Sequence, residues 1–466
     1  MTKIVATIGP SSWEYSIIKK LLIAGVNCVR INASHGDHEQ YRKVIENVRR
    51  ADKELNRFTA IQLDNQGPKL RLGELPDEGV KLKRNQIIKL CSGSIYNQKE
   101  SILPTQHNLS KIVSENEIVY LRDGLVKLIV TKVNKGIVEA KVIVGGEVFS
   151  RHGINLPDSD LRGEILKKKD LADIDFAIKN DVNQIALSFV QSANDVKKVR
   201  NIVNSSGGNL AIVAKIETQA AITNIEDIVK ASDGLLIARG DLAYETRPED
   251  VPIYQKKIIA LSRKYRKYCI VATQMLESMT HSLQPTRAEV SDVANAVVDQ
   301  ADAVMLSGET ASGEYPVETV RMMKKIILSV ERADLKRNTH VDNSQDVASI
   351  NQLSTAAASM NLASNIGAKV LISETLSGRT ARYISSLRVK IPQIVTSPDI
   401  RTLQACSLLW GTKMIKSNKF GDGIGEAIEF LKATKYVKGE DWVVRVYAKD
   451  RNLVGAIDTI TAEQVS

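Results

Sequence analysis

The sequence predicts an α/β protein whose main part is a closed (β/α)8 TIM barrel, with a small β domain inserted into it and a second α/β domain after it. Three observations support this prediction. Eight β-branched runs alternate with helical patterns, one connection between such runs exceeds about a hundred residues, and a polar stretch precedes a second alternating pattern.

The eight runs are short, rich in valine and isoleucine, and end in polar or glycine-containing residues, as the strands of a parallel sheet do. They are Lys3–Ile8, Val26–Asn32, Thr59–Asp64, Gln184–Val190, Ala211–Glu217, Gly234–Arg239, Tyr268–Thr273 and Ala303–Ser307.

Helical patterns lie between most of these runs and indicate βαβ units. Eight units are the number that closes a barrel, and an open doubly wound sheet is the alternative. The clearest helices are Tyr15–Ala24, Glu39–Asp52, Asp170–Lys179, Ala193–Val203 and Pro252–Lys264.

The long connection follows the third strand. Its residues 72–156 are dense in Val, Ile, Lys and Gly, which favours short antiparallel strands, since a loop of this length without structure of its own is improbable. We therefore expect a barrel over 1–70 and 157–336 and an inserted small β domain over 71–156.

A polar stretch, Arg337–Asp346, predicts a linker to a C-terminal α/β domain over 347–466. The predicted helices of this domain are Ser349–Ile366, Thr380–Ser386, Ile400–Leu409 and Ile424–Thr434. Its predicted strands are Lys369–Ser373, Gln393–Val395, Thr412–Ile415 and Trp442–Ala448.

Composition excludes several classes of protein. With 43% hydrophobic and 25% charged residues the chain is not mainly disordered. We expect no membrane span, no secretion signal and, from four scattered cysteines without a CxxC pair, a reducing cytoplasm. The net charge of +10 favours anionic partners, although a solvated basic surface is the more common explanation.

Polar residues at the carboxyl ends of the barrel strands are the candidates for chemistry, because barrel enzymes place their sites there. Alternation puts Arg30 and Asn32 on one face, which suggests an anion site, or an arginine that holds Asp64 structurally. Lys215 and Glu217 likewise share a face, as a site or as a structural ion pair.

The sixth and seventh strands end in Gly240–Asp241 and in Thr273. Glu217 and Asp241 on neighbouring strands offer two hard oxygen ligands, which suit Mg²⁺ that keeps waters and substrate phosphates as its other ligands. This set of groups predicts metal-assisted chemistry on an anionic, phosphorylated substrate.

At this point the sequence resembles the pyruvate kinase family, whose motifs occur in order along nearly the whole chain. The segments that carry the resemblance are Lys3–Ser12, Arg30–Gly36, Leu63–Pro68, Ala214–Glu217, Ala238–Leu242, Ala272–Ser278, Pro285–Glu289 and Met305–Thr310. The family's architecture, a TIM barrel with an inserted β-barrel lid and a C-terminal α/β domain, agrees with the strand count.

The resemblance implies that phosphoenolpyruvate and MgADP give pyruvate and ATP. By motif position, Lys215 stabilises the transferring phosphoryl group, and Glu217 and Asp241 hold Mg²⁺. The backbone near Gly240 and the hydroxyl of Thr273 hold the substrate, and a water near Thr273 supplies the proton to the enolate.

The resemblance further places Arg30 on the phosphoryl oxygens of the substrate, and Asn32, Ser34, His35 and Arg71 near the nucleotide phosphates. After the lid the family usually has a lysine where this chain has His152. The resemblance therefore leaves open whether His152 contacts the nucleotide or the neighbouring Arg151 takes that role.

Most members require K⁺, at positions that match Asn32, Ser34, Asp64 and Asn65. The motif from 64 to 69 here reads Asp-Asn-Gln-Gly-Pro-Lys, whereas the common version ends in glutamate. We expect the ammonium of Lys69 to substitute for K⁺, so that K⁺ is not required. The alternative is that Lys69 points to solvent.

In the C-terminal domain a loop follows the first strand and opens a helix, which suits an effector phosphate, or simple helix capping. Its residues are Thr375, Ser377, Gly378, Arg379 and Thr380. The family usually has lysine where Leu376 stands, so the effector's identity is left open. A homotetramer is also expected from the resemblance.

Two other functions remain as alternatives. A carbon–carbon lyase or aldolase of the related phosphoenolpyruvate-binding barrels would use the same carboxylates, although the lid and the C-terminal domain count against it. A basic scaffold that binds nucleic acid would fit only the net charge, and we expect neither nucleic acid nor membrane as a partner.

Overall fold

The computed structural model describes residues 1–122, 124–159, 166–333, 347–448 and 458–465. The predicted linker Arg337–Asp346 lies outside the described residues. Among the described residues, no helix combines the length and the apolar character that crossing a membrane requires.

Eight parallel strands close into a barrel, so the TIM-barrel prediction is confirmed and the open-sheet alternative is wrong. Closure occurs where the first strand pairs with the eighth, in register from Lys3 opposite Ala303. The strands are Lys3–Ile8, Cys28–Asn32, Ala60–Asp64, Gln184–Leu187, Ala211–Ile216, Gly234–Ala238, Tyr268–Ala272 and Ala303–Leu306.

Both faces of each barrel strand are buried, and alternation decides what each face carries. In the third strand, Ile61 and Leu63 belong to the core between strands and helices, whereas Gln62 and Asp64 are on the opposite face, inside the barrel. Gln62 accepts a hydrogen bond from Gln184 there, at 2.7 Å. Asp64 is last on this inner face and therefore reaches the barrel mouth.

Helices cover the outside of the barrel and follow the predicted ones within a few residues. The short helix that begins at Arg239, directly after the sixth strand, was not predicted. The bounds are Tyr15–Ala24, His38–Leu55, Lys168–Lys179, Ala193–Ser205, Gln219–Thr223, Ile225–Ala231, Arg239–Glu245, Val251–Lys264, Arg287–Val298, Gly308–Ala311 and Pro316–Arg332, with 3-10 turns at Leu109–Lys111, Pro248–Asp250 and Glu277–Thr280.

The insertion forms a seven-stranded sheet with its own core and a separate two-stranded sheet. Its edge strands meet at a bridge between Leu72 and Thr105, which closes it on itself as a small β barrel. One pair, Ile87–Ser92 with Ile102–Thr105, is parallel, although only antiparallel pairs were predicted. The other strands are Leu70–Arg71, Val80–Leu82, Ile118–Leu121, Val126–Asn134, Ile137–Val144, Gly146–Val148 and Gly153–Asn155.

The C-terminal domain has a five-stranded sheet that is parallel except for its last strand, Thr459–Gln464, which the sequence did not predict. The other strands are Val370–Glu374, Gln393–Ser397, Thr412–Lys416 and Trp442–Tyr447, and the helices are Val347–Asn365, Arg379–Ser386, Ile400–Cys406 and Gly423–Ala433. A buried ion pair of 2.7 Å between Arg388 and Asp302 joins this domain to the end of the barrel opposite the mouth.

Candidate active site at the mouth of the barrel

Four charged side chains from three strands meet at the inner face of the barrel mouth. Arg30 contacts Asp64 through Nε at 2.7 Å and through a terminal nitrogen at 2.6 Å. Lys215 Nζ lies 3.2 Å from Asp64 Oδ1 and 3.3 Å from Glu217 Oε2. Lys215 and Glu217, which the alternation pattern placed on one face, are therefore in direct contact, and Arg30 is joined to them through Asp64.

The guanidinium of Arg30 is held by protein groups on two sides. Besides Asp64 it donates to the hydroxyl of Thr7 at 3.0 Å. The structural alternative for Arg30, an arginine that holds Asp64, is thus present in the structure. Arg30 also lines the adjoining cavity, so this ion pair leaves it within reach of a ligand.

Charge balance sets the protonation of the cluster. Burial alone would lower the pKa of Lys215, but Asp64 and Glu217 outweigh it and the pKa is raised. The pKa of Glu217 is raised, first by burial and then by the charge of Asp241. Burial acts to raise the pKa of Asp64, but Arg30 and Lys215 bring it below its usual value. The ammonium of Lys215 therefore stays charged. The carboxylate of Glu217 is stabilised by Lys215 on one side and opposed by the charge of Asp241 on the other.

Ser188, directly after the fourth strand, belongs to the site although the sequence analysis did not single it out. Its hydroxyl accepts a hydrogen bond from Lys215 Nζ at 2.7 Å and donates to the carbonyl of Asn65 at 2.8 Å. Its N–H donates to Asn65 Oδ1 at 2.7 Å. The sequence does contain a signal for this residue, because Ser188 carries a hydroxyl directly after the buried strand Gln184–Leu187.

Asp170 connects this network to the lid. Its Oδ1 accepts hydrogen bonds from Asn65 Nδ2 at 3.1 Å and from the N–H of Gly67 at 3.0 Å. Its Oδ2 accepts one from the N–H of Lys167 at 2.8 Å. One buried carboxylate thus holds both the chain that leaves the barrel for the lid and the chain that returns from it.

Gly240 and Thr273 lie together at the ends of the sixth and seventh strands. The N–H of Gly240 donates to Thr273 Oγ1 at 2.8 Å, and this hydroxyl donates to the carbonyl of Ala272 at 2.7 Å. Thr273 has a left-handed backbone, with φ of 71°, which is strained for a β-branched residue. Arg239 stabilises it by donating to the carbonyls of Ala272 and Thr273.

The loop after the second strand borders a cavity of about 590 Å³, whose lining includes Arg30, Asn32 and His35. Asn32 Oδ1 accepts the N–H of Ser34 at 3.2 Å, and the hydroxyl of Tyr41 donates to the carbonyl of His35 at 2.7 Å. Ser34 is near by in the chain but does not line the cavity.

Arg71 lies on the first lid strand and is not part of that cavity. Its guanidinium donates to the carbonyl of Arg151 at 2.9 Å. Arg151 itself forms an exposed ion pair with Glu74 at 2.9 Å, and His152 Nδ1 accepts the N–H of Phe149 at 3.1 Å.

Lys69 is half-buried and makes no hydrogen bond or ion pair with any residue that the structure describes. Among the positions expected for a monovalent cation, Asp64 has both oxygens in contact with fixed cations, Arg30 and Lys215. At Asp64, one of the four positions, protein cations are therefore already in place.

Within the described ranges, no group of three or more His, Cys, Asp or Glu side chains is arranged to hold a metal ion. Glu217 and Asp241 form a pair of carboxylates that interact electrostatically. Two hard oxygen ligands on one side fit Mg²⁺, which takes its remaining ligands from water and phosphate.

Glu245, at the end of the helix that carries Asp241, is a second residue that the sequence analysis missed. Its Oε1 accepts a hydrogen bond from Asn155 Nδ2 of the lid at 3.2 Å. Burial, with a smaller contribution from Asp241, raises the pKa of Glu245 to about 7. The side chain therefore connects lid and barrel in a protonation state that depends on pH near neutrality.

The effector loop of the C-terminal domain is compact. Gly378 has a left-handed backbone, with φ of 74°, and its N–H donates to Thr375 Oγ1 at 3.0 Å. Ser377 and Arg379 are exposed, whereas Thr375 and Thr380 are buried. The loop therefore presents one hydroxyl and one guanidinium to solvent at the start of a helix.

Comparison with known proteins gives matches over the whole length. Residues 1–320 match the model for the pyruvate kinase barrel domain, and residues 354–461 match that for the pyruvate kinase alpha/beta domain. The chain is 38% identical to a pyruvate kinase of Staphylococcus aureus over 429 residues, 91% of this chain and 73% of that protein. A Staphylococcus epidermidis pyruvate kinase is also 38% identical, over 89% of this chain and 71% of that protein.

A solved structure is similar over nearly the whole chain. The crystal structure of a pyruvate kinase from Cryptosporidium parvum superposes with a TM-score of 0.90 at 31% sequence identity. The match covers 99% of this chain and 96% of that one.

Proposed function

Because the chain belongs to the pyruvate kinase family, we propose that the charged cluster at the barrel mouth carries out its phosphoryl transfer. The protein is a phosphotransferase that converts phosphoenolpyruvate and ADP to pyruvate and ATP, the last step of glycolysis. The observation that carries the proposal is the position of Lys215 Nζ, fixed at 2.7 Å by Ser188 and balanced by two carboxylates.

Lys215 is the proposed catalytic residue. In phosphoryl transfer, positioning and charge neutralisation do most of the work. The phosphorus–oxygen bond of phosphoenolpyruvate breaks while a terminal phosphate oxygen of ADP forms the new bond. The buried ammonium of Lys215 stabilises the charge on the transferring group, and Arg30, within the same cluster, binds its oxygens.

Thr273 and Gly240 bind the other end of the substrate. The leaving group is an enolate, which takes a proton on its methylene carbon to become pyruvate. A water held at the hydroxyl of Thr273 donates that proton, and the strained turn at Thr273 keeps the hydroxyl at the mouth.

Glu217 and Asp241 are the proposed protein ligands of Mg²⁺. When bound, the ion supplies positive charge to the phosphates and to the enolate oxygen. The pKa of Glu217 is raised, first by burial and then by the charge of Asp241, which fits a carboxylate whose charge a divalent cation would balance.

Asn32, Ser34, His35 and Arg71 are the proposed contacts of the nucleotide phosphates, and K⁺ is not required. Lys69 is half-buried and follows Asp64 by five residues, and we propose that its ammonium supplies a unit charge there. At a few ångströms and an effective dielectric constant of about 20, such a charge is worth roughly 4 kcal/mol. This is enough to replace a weakly bound ion.

An assay coupled to lactate dehydrogenase, with phosphoenolpyruvate, ADP and Mg²⁺, tests the site. Lys215→Ala should lose turnover while the KM for phosphoenolpyruvate changes little, because the ammonium acts mainly in the transition state. The exposed Lys179, in an ion pair on the outer helix, offers a matched control in Lys179→Ala. Near-normal turnover of Lys215→Ala would refute the assignment. A folded wild type that forms no pyruvate from phosphoenolpyruvate and ADP would favour the lyase alternative.

We also propose that a phosphorylated effector binds at the loop formed by Thr375, Ser377, Gly378, Arg379 and Thr380. The exposed hydroxyl, the guanidinium and the helix start support it. A panel of sugar phosphates and nucleoside monophosphates should include one that changes activity or Tm, and this change should disappear in Arg379→Ala. A panel without any effect would contradict the proposal.

The remaining proposals concern organisation. We propose domain boundaries at 1–70 with 157–336, 71–156 and 347–466, and a homotetramer as the assembly. A cytoplasmic location is supported by the four cysteines, all free and buried. Light scattering of the purified protein tests the tetramer.

A further inference from the structure

We propose that Trp13 forms the base-binding wall of the nucleotide site and gives the enzyme its preference for purine over pyrimidine nucleoside diphosphates. The inference rests on the proposed function, from which it takes the position of the nucleotide phosphates near Asn32 and His35. It adds the residue that binds the other end of the nucleotide.

The cavity of about 590 Å³ beside the charged cluster lies within the usual size range for small-molecule sites. Its inner part includes Arg30, which belongs to the cluster, and the loop of Asn32. Its outer part includes Gln40, from the helix His38–Leu55, and Trp13, just before the helix Tyr15–Ala24. The lining therefore changes from cationic at the barrel mouth to aromatic and amide at the outer helices.

The surroundings of Trp13 fix the direction in which a nucleotide binds. Trp13 also lines an adjoining cavity of about 600 Å³ whose lining has four carboxylates, Glu14, Asp37, Glu39 and Glu46, and one cation, Lys43, which is paired with Glu39. These carboxylates repel a diphosphate, so the phosphates belong at the Arg30 side. The neutral base is left for the side of Trp13.

Hydrogen bonds fix the backbone of Trp13, and its ring is partly exposed to solvent. Its N–H donates to the carbonyl of Gly9 at 3.0 Å, and its carbonyl accepts Asn47 Nδ2 at 3.1 Å. The residue is 37% exposed, whereas Trp410 is 7% exposed. The backbone is thus anchored while the largest apolar side chain available to a protein remains partly exposed at the edge of the cavity. An aromatic surface of this kind stacks on any nucleic-acid base, and the two fused rings of a purine offer it the larger stacking surface.

Fluorescence of the protein tests binding without turnover. In Trp442→Phe, which removes the other exposed tryptophan, titration with MgADP should quench the emission. The quenching should disappear in the double variant Trp13→Phe/Trp442→Phe. Quenching that persists in the double variant, or its absence in the single one, would overturn the inference.

Kinetics with different nucleotides tests specificity. Wild type should prefer ADP and GDP over UDP and CDP. Trp13→Ala should raise the KM for ADP about tenfold, equivalent to ~1.4 kcal/mol, narrow the gap between purines and pyrimidines, and leave the KM for phosphoenolpyruvate unchanged. Trp13→Phe should retain most of the purine preference, and Trp442→Ala, at a similarly exposed tryptophan, should behave as wild type.

An ADP KM within twofold of wild type in Trp13→Ala, with an unchanged purine preference, would refute the role of Trp13. A wild type that makes no ATP would instead refute the proposed function. In that case the MgADP titration still decides the inference, so the two failures are distinguishable.

Discussion

Replacement of Ser188 by alanine tests whether Lys215 depends on its neighbours for its position. The hydroxyl of Ser188 holds Lys215 Nζ at 2.7 Å and is itself oriented by the carbonyl of Asn65. Without it, the ammonium has only Asp64 and Glu217 as partners, at 3.2 and 3.3 Å, and moves toward them.

The size of the effect follows from that single contact. A hydrogen bond to a charged group is worth about 1.5–3 kcal/mol, and about 1.36 kcal/mol is tenfold in rate. We therefore expect kcat of Ser188→Ala to fall about tenfold to a hundredfold, with little change in the KM for phosphoenolpyruvate. The lactate dehydrogenase-coupled assay measures both parameters.

Two further variants make this result interpretable. Ser188→Thr keeps the hydroxyl and should recover part of the rate. Ser205→Ala removes an exposed hydroxyl that bonds only a backbone carbonyl in its own helix, and should be neutral. If a folded Ser188→Ala enzyme keeps kcat within twofold of wild type, the network does not position Lys215.

Three other predictions follow from the site. Glu217→Gln should raise the Mg²⁺ concentration for half-maximal activity by at least about tenfold, and an unchanged Mg²⁺ titration would exclude Glu217 as a ligand. Wild type should be fully active in potassium-free buffer with a bulky organic cation, whereas Lys69→Glu should become K⁺-dependent; strong activation of wild type by KCl would contradict this. The third concerns Glu245, whose pKa lies at about 7 in the folded state, above its ordinary value of 4.5. Between these values the folded state binds more protons than the unfolded state, so the free energy of unfolding falls as pH rises. The Tm of wild type should therefore drop more between pH 5 and pH 8 than that of Glu245→Gln, and equal drops would show that Glu245 does not titrate as described.

Strand periodicity was sufficient to predict which side chains share the barrel mouth. Arg30 with Asn32, and Lys215 with Glu217, follow from alternation along single strands. Neighbouring strands of a barrel then bring Asp64 to them. This part of the site depends on local geometry, which a sequence pattern records directly.

Contacts between distant segments were not available from the pattern. Asp170 bonds Asn65 across 105 residues of chain, most of which form the lid. The sequence did not decide whether Arg30 binds Asp64 or a ligand, because a structural ion pair and an anion site require the same residue types. The last strand, Thr459–Gln464, escaped prediction since its sequence is mostly polar and contains only one large hydrophobic residue, Ile460.

Asp170 fixes both ends of the lid, so the lid can be replaced as a unit. Its two oxygens hold the outgoing chain at Gly67 and the returning chain at Lys167, so the entry and exit of about a hundred residues are tied at one point on the barrel. Loop closure is therefore accomplished by the barrel itself, and the length between the two tie points costs little more entropy as it grows. Lids of very different size could have been exchanged at this junction during evolution while the fourth strand kept its register beside the third. For protein engineering, the same junction is the position at which a foreign domain can be inserted with least disturbance to the barrel.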